Sequence, residues 1–438
     1  MPAPVSYDLK ATIDPALGTI SVRGKMEVPL QEGASPTIEF GLHQTFELRK
    51  LSVNNSSATF SLRPMEPSLI NPATKRVLVE LPHNFSGNMA RLEIEYGGSL
   101  KQIPEFGTFP DQHLALDDQI NSRLIELACY SSWYPQFFPM GYPINVKLEV
   151  SLPLEWVAIC SGKKLEDVVR GKQAITRWVS LKDTDILIAA SPNYKRRANR
   201  LSGADIEIYY TRMPEEFVEK ELRQIEEIMR LFTERLGETT IPAGMIKHVY
   251  SPKLKGQGRA GIARPGMIVT SEGLTLETLA KDPKFSLFQD IAHEIAHFWW
   301  NFGAGQGDWI NEAFAEYFSV LAVEGASSKE GSGTVIDTYR KQVQALPATA
   351  PSLSTVPFDG SSFVVRYYKG SLMLDYLRNV LGDAGFFRGS RDFFRTYRGK
   401  SIGTREFRIF WNERLSSQRE SIDAWLDLNG ALPASSNN

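Results

Sequence analysis

Three observations predict an α+β chain of two domains: a β-sandwich-like domain over residues 1–197 and a mixed helix-and-strand domain over 198–438. Short alternating apolar–polar segments recur up to about residue 197. From Pro214 onward the apolar spacing changes to the helical period. The third observation is a helix-like stretch reading His-Glu-Ile-Ala-His at 293–297. A period of two marks half-buried strands and a period near 3.6 marks helices, so the change of period places a change of architecture. A chain of 438 residues with 42% apolar side chains is large enough for two or three domains with real cores.

Taken in order, Tyr7–Ile13, Val77–Leu81, Arg91–Tyr96, Val146–Val150 and Ala174–Trp178 read as short strands separated by turn residues, which is the pattern of a β-sandwich. Residues 194–203, with Lys195, Arg196, Arg197, Asn199, Arg200 and Gly203, read as an inter-domain linker. Ile206–Tyr210 reads as the strand that opens the second domain. Pro214 then starts a helix whose Leu222, Ile225, Met229, Phe232 and Leu236 share one face, and Gly237 ends it. Strands are expected at 245–250 and 266–270, a helix at 285–301, and helices from there to about Leu428.

The chemistry sits in that helix and the next. His293 and His297 are four apart, so on a helix they lie one turn apart on one face, where two imidazoles can bind one zinc ion. Glu294 stands beside them as a general base. Zinc wants a third protein ligand and an open fourth position. Glu312 is the natural candidate, on a helix whose start is marked by Gly307 and Asp308. The bland alternative is an amphipathic helix with two satisfied core histidines. Two of only six histidines bracketing a glutamate at ligand spacing favour the metal.

His-Glu-x-x-His followed by Trp309-Ile310-Asn311-Glu312-Ala313-Phe314-Ala315 resembles the gluzincin zinc metallopeptidases, in particular the aminopeptidase N and leukotriene hydrolase family. That family usually has eighteen residues between the second His and the ligand Glu. Here fourteen separate His297 from Glu312 and eighteen separate it from Glu316. The flanking Trp-x-Asn-Glu pattern selects Glu312, which implies a four-residue deletion in the loop. Glu316 then resembles the outer carboxylate that hydrogen-bonds a ligand histidine in thermolysin-like helices. Tyr367-Tyr368-Lys369-Gly370 is similar to the family's Tyr-x-Lys-Gly, which implies Tyr367 as donor to an oxyanion. Glu126, nine residues before Pro135, resembles a family position that binds a substrate amine. Gly261-Ile262-Ala263-Arg264 stands where the family has Gly-Ala-Met-Glu, so Gly261 and Arg264 are the matching substrate-binding candidates, with a base in place of the family's acid.

The resemblance implies a thermolysin-like α/β catalytic domain over 198–438, with Zn2+ as cofactor. It implies a metallopeptidase or amidase acting on a peptide or small amide. Arg264 raises an alternative: hydrolysis of a small carboxylate-bearing metabolite, or of an epoxide, on the same site. A non-enzymatic metal centre is the third reading, which intact Glu294 and Tyr367 disfavour. A net charge of −2 gives no reason to expect nucleic acid as partner. No apolar run is long enough to span a membrane. Cys129 and Cys160 read as two thiols or one disulfide, not as a disulfide framework. Met1-Pro2-Ala3-Pro4 lacks the features of a signal peptide, so a cytoplasmic location is expected, with a removed signal left open.

Overall fold

The computed structural model describes residues 4–432 apart from 31–36, 66–72, 83–84, 86, 101–117, 138–142, 202–203, 240–244, 254–260, 283–285, 303–307, 327–328 and 358–361. Of the positions used above, Met1, Pro2, Ala3, Gly203 and Gly307 lie outside the described residues.

By compactness the chain divides into Met1–Val218 with Pro242–Lys284, and Glu219–Ile241 with Phe285–Asn438. In the first unit the strand Val5–Asp14 alternates as its sequence demands, burying Tyr7, Leu9, Ala11 and Ile13 and exposing the residues between them. It pairs antiparallel with Thr19–Pro29 and parallel with Ile144–Pro153, inside an eight-stranded sheet. A three-stranded sheet (Thr37–His43, Thr74–Glu80, Phe60–Pro64) and a four-stranded one (Val157–Cys160, Ile188–Ser191, Ile125–Leu127, Gln119–Ile120) pack on the same core. Leu9, Phe40, Val77, Leu127 and Ile188 belong to one buried cluster. Cys129 and Cys160 are free thiols, both buried.

A five-stranded sheet completes this unit, in the order Lys195–Leu201, Ala204–Tyr210, Met245–Ser251, Met267–Ser271, Gly261–Arg264. Two of its edges correct the sequence reading. The expected linker forms a strand, because Lys195–Leu201 makes a hairpin with Ala204–Tyr210 in which Arg196 Nη2 reaches Glu207 Oε1 at 2.6 Å. Its charges stay exposed but pair across strands, as a free linker's would not. Gly261–Arg264 is likewise a strand, antiparallel to Met267–Ser271. The parallel pair Ala204–Tyr210 and Met245–Ser251 is joined through α1 (Glu215–Leu236). Ser271 caps α2 (Glu272–Lys281), its hydroxyl accepting from Leu274 N at 3.4 Å. The division at 197/198 expected from sequence thus differs from the compact division, which groups this sheet with the preceding strands.

The second unit is helical. Leu222, Ile225, Phe232 and Leu236 of α1 are buried, and Gly237 ends it at φ 84°, where a side chain would be strained. α3 (Phe288–Ala296) is shorter than expected, and residues 297–299 continue it as a turn. α4 (Asp308–Ala326) is buried nearly all round, from Trp309 to Ala322, which makes it the central helix. α5 (Lys329–Gln344) follows, then a π-helical turn, Val364–Lys369, running directly into α6 (Gly370–Tyr397). α6 is interrupted at Gly382, where φ is 65°. α7 (Thr404–Arg414) and α8 (Arg419–Asp427) close the unit. Phe314, Phe318, Trp300, Phe393, Phe407 and Trp411 interlock around α4 with ring centroids 4.1–6.4 Å apart.

Candidate metal centre

Helix α3 divides its faces cleanly. Ile291, Ala292, Ile295 and Ala296 are buried, while His293, Glu294 and His297 lie on the partly covered side. His297 follows the last helical residue, yet its backbone stays right-handed (φ −61°, ψ −11°), so the one-turn relation to His293 survives. The chain then turns sharply, with Trp299 N and Trp300 N both donating to Ala296 O at 2.9 and 3.0 Å. That turn brings Trp300 O to within 3.1 Å of His297 Nδ1. Two contacts fix it: Trp299 Nε1 donates to Gly237 O at 3.0 Å, and Trp300 stacks on Phe314 at 4.1 Å. The paired tryptophans therefore set the orientation of the second histidine.

Helix α4 supplies the carboxylates. Asn311 Oδ1 accepts from Phe302 N at 2.8 Å and Trp309 Nε1 donates to Thr404 Oγ1 at 2.9 Å, which fixes the register of the helix. In that register Glu312 Oε2 lies 3.4 Å from His293 Nε2 and 3.5 Å from His297 Nε2. Glu316, one turn on, accepts from His293 Nδ1 on Oε2 at 2.7 Å. His293, His297 and Glu312 form a group whose ligand atoms all lie within 4.8 Å of one another.

Whether this trio fits a metal ion can be tested on the geometry. Ligands about 2.0–2.1 Å from a tetrahedral ion stand roughly 3.3–3.5 Å from each other, which is the separation between Glu312 and both histidines. Glu312 Oε2 is buried and has no hydrogen-bond partner. A buried acceptor without a donor is costly, and a cation at the centre of the trio removes that cost. The imidazoles turn Nε2 inward and have Nδ1 engaged elsewhere, as ligand histidines do. The residues fit zinc.

Without an ion, the charges of the trio compensate one another, and zinc binding would displace the imidazole protons. Burial disfavours charge on Glu312, but His297 and His293 outweigh it and hold the carboxyl well below its usual range. Burial likewise opposes charge on His293, and the Glu312 and Glu316 carboxylates outweigh it, raising the imidazole well above its usual value. Arg366 adds a cation the sequence reading assigned no role. Its Nη2 binds the Asp308 carboxylate and stands 3.7 Å from Glu312 Oε1. Asp308 and Glu312 are four apart on α4, so one guanidinium meets both.

Tyr367 lies on the π-helical turn with its ring parallel to His293, 5.6 Å away at 8°, and Phe363 stacks on it at 4.2 Å. Burial, and then the nearby Glu312, raise the phenol well above its usual range, so its hydroxyl keeps its proton and acts as a donor. The residues after it are structural. Lys369 is buried and donates to Leu428 O at 2.6 Å and Gly430 O at 3.0 Å. Gly370 lets the helix approach α4 closely, since a Cβ there would stand 2.5 Å from Ala313 Cβ.

His293, Glu294, His297, Glu312, Glu316 and Tyr367 are thus gathered in the second unit. The other three candidates belong to the first. Glu126 is buried on Ile125–Leu127, and its Oε1 accepts from Lys253 Nζ at 2.6 Å. Gly261 opens the edge strand opposite Thr270. Arg264 Nε donates to Asp185 Oδ2 at 2.8 Å, Nη1 to Ala263 O at 2.8 Å, and Nη2 to Tyr130 Oη at 3.3 Å. Arg264 is therefore a strand residue in a buried ion pair, not a solvent-facing loop cation. Besides Arg366, sequence reasoning missed Tyr339, whose hydroxyl donates to Glu316 Oε1. It stands 23 positions from Glu316 on another helix, and no local motif marks it.

Residues 259–427 match the family model described as the Peptidase family M1 domain. A stretch of 157 residues is 28% identical to aminopeptidase N of Lactococcus lactis subsp. lactis, covering 31% of this chain and 17% of that protein, well under two thirds of its length. The fold is that of the M1 zinc metallopeptidase from Deinococcus radiodurans: TM-score 0.76 at 16% identity, over 98% of this chain and 96% of that one. Leukotriene A4 hydrolase of Saccharomyces cerevisiae shares it at TM-score 0.74 and 15% identity, over 99% of this chain and 68% of that one. A point mutant of the Deinococcus protein is also known with a Tyr-Ser-Ala substrate bound.

Proposed function

With residues 259–427 carrying a Peptidase family M1 domain, we propose that this chain is a zinc-dependent metallopeptidase that cleaves a peptide or small amide. The observation that carries the reading is the convergence of Glu312 Oε2 on His293 Nε2 and His297 Nε2 at 3.4 and 3.5 Å, with that oxygen lacking any hydrogen-bond donor. His293, His297 and Glu312 would hold the ion. Zinc bound there supplies a Lewis acid that polarises a carbonyl and acidifies a water.

Glu294 acts as general base, taking a proton from the attacking water on its carboxylate and delivering it to the leaving nitrogen. Tyr367 keeps its phenolic proton and donates a hydrogen bond to the oxyanion of the tetrahedral intermediate. Glu316 accepts the Nδ1 proton of His293 and so fixes the tautomer that presents Nε2 to the ion.

Substrate contacts are proposed for Glu126, Gly261 and Arg264, with those of Glu126 and Arg264 shaped by their ion pairs. Lys253 compensates Glu126 and Asp185 compensates Arg264. A free α-ammonium therefore gains little from Glu126, and a substrate carboxylate gains little from Arg264. We propose substrates recognised through neutral amide groups, which leaves the carboxylate-bearing metabolite and the epoxide without a specific observation in their favour. The whole M1 match falls within residues 198–438, which supports assigning catalysis to that part of the chain and a supporting role to residues 1–197. No helix among the described residues is long and apolar enough to cross a membrane. The proposed location is the cytoplasm.

Metal analysis and a peptide assay test the reading together. Purified protein should carry one zinc per chain. Glu294→Gln should keep the zinc and lose roughly 10²–10⁴-fold in rate. A protein that takes up no zinc, or a Glu294→Gln variant with full activity, overturns the mechanism. Blocked peptides should be cleaved at least as well as unblocked aminoacyl anilides, and a strong preference for the free amine would refute the proposed recognition.

A further inference from the structure

We propose that Tyr339 is the positioning residue of this site, holding His293 by two routes at once. The proposal rests on the metal reading above.

The first route runs through its hydroxyl. Tyr339 is buried on α5. Its O–H donates to Glu316 Oε1, while Glu316 Oε2 accepts from His293 Nδ1 at 2.7 Å. The same hydroxyl accepts from Gln289 Nε2 at 3.0 Å. Gln289 lies one helical turn before His293 on α3, so the hydrogen bonds close a ring: Gln289 to Tyr339, Tyr339 to Glu316, His293 to Glu316. Three helices meet in that ring. The donor type matters. A phenol O–H fixes one oxygen of Glu316 and leaves the other to accept from His293 Nδ1, which holds the ring with Nε2 turned inward. A lysine or arginine in that place would drain the carboxylate's charge.

The second route runs through its ring. Tyr339 stacks on Tyr368 at 4.2 Å and 10°. Tyr368 meets Phe363 edge-on at 5.1 Å, and Phe363 stacks on Tyr367 at 4.2 Å. Tyr367 in turn lies parallel to His293 at 5.6 Å. The aromatic chain thus ends on the imidazole that the hydrogen-bonded ring holds from the other side, and it seats the π-helical turn that presents Tyr367. A tyrosine serving only as core filler has no reason to reach the same histidine twice.

Two substitutions separate the routes. Tyr339→Phe removes the hydroxyl and keeps the stack, whereas Tyr339→Leu removes both. Zinc affinity is read by competition with a chromophoric chelator, alongside the unfolding midpoint of the metal-free protein. Tyr339→Phe should weaken zinc roughly 10–100-fold, the usual scale for an outer partner of a ligand histidine, with the metal-free midpoint close to that of the wild type. Combined with Glu316→Gln, the loss should be far smaller than the product of the single losses, because both act through one imidazole. Tyr339→Leu should also lower kcat at saturating zinc, since the turn carrying Tyr367 loses its seat. Wild-type zinc affinity in Tyr339→Phe, or losses that multiply in the double variant, overturns the proposal. A wild-type protein that binds no zinc overturns the metal reading instead.

Discussion

Glu312 and Glu316 stand one turn apart on α4 and meet different nitrogens of His293. Glu312 faces Nε2 and Glu316 faces Nδ1. Counting residues from His297 favours Glu316, and the flanking Trp-Ile-Asn favours Glu312. The proposed ligand follows the flanks because they are themselves structural: Trp309 and Asn311 lock the helix register through Thr404 and Phe302. A shortened loop leaves that register intact. Glu312→Ala is expected to abolish stoichiometric zinc, whereas Glu316→Ala should retain it with roughly 10–100-fold weaker affinity, as equilibrium dialysis would show. The reverse order would make Glu316 the ligand. The sequence marked Glu126 and Arg264 as well, but not their partners. Lys253 and Asp185 lie 127 and 79 positions away, and a charge reversal in one short strand carries no record of the counter-ion.

At the scale of the element, helices declared themselves by periodicity where one face was apolar, as in α1. The π-helical turn did not, since its widened hydrogen bonding leaves no mark on apolar spacing. The two edge strands of the five-stranded sheet were missed for other reasons: four basic residues in Lys195–Leu201 mask its alternation, and Gly261–Arg264 is only four residues long. The Tyr-x-Lys-Gly stretch shows how one motif mixes chemistry with construction. Its tyrosine faces the site, its lysine ties the chain to the carbonyls of Leu428 and Gly430, and its glycine makes room for α4. Gly370→Ala would press a Cβ against Ala313 Cβ at 2.5 Å. Overpacking of this kind costs about 1–3 kcal/mol. Ala313→Gly alone costs about 1 kcal/mol in helix propensity, yet it should relieve the clash in the double variant. Urea unfolding of the metal-free proteins would check this, with the double variant expected to be more stable than Gly370→Ala alone. Additive losses would mean the helices part without strain.

Across the whole chain, the compact division departs from residue 197 because Tyr209, Val249, Ile262, Met267 and Val269 of the five-stranded sheet belong to the same buried core as the preceding sheets, and three largely buried cations add polar ties. Lys247 donates to the carbonyls of Cys160 and Gly162 and lies 4.7 Å over Trp178. Lys253 pairs with Glu126, and Arg264 pairs with Asp185. All three tie residues 245–264 to groups between 126 and 185. Lysine and arginine are normally read as surface, so the sequence pointed away from the contacts that join these segments. Of the three, the Lys253–Glu126 pair is the most demanding, with both side chains 2% exposed and 2.6 Å between the charged atoms. Such a pair contributes little compared with an apolar replacement, but removing one partner strands the other charge. Lys253→Met should therefore lower the unfolding free energy by about 3–5 kcal/mol. Glu126→Gln added to it leaves no stranded charge, and most of that loss should return in chemical denaturation. If Lys253→Met proves as stable as the double variant, the Glu126 charge is not stranded, and the stitch between these segments lies in Lys247 and Arg264.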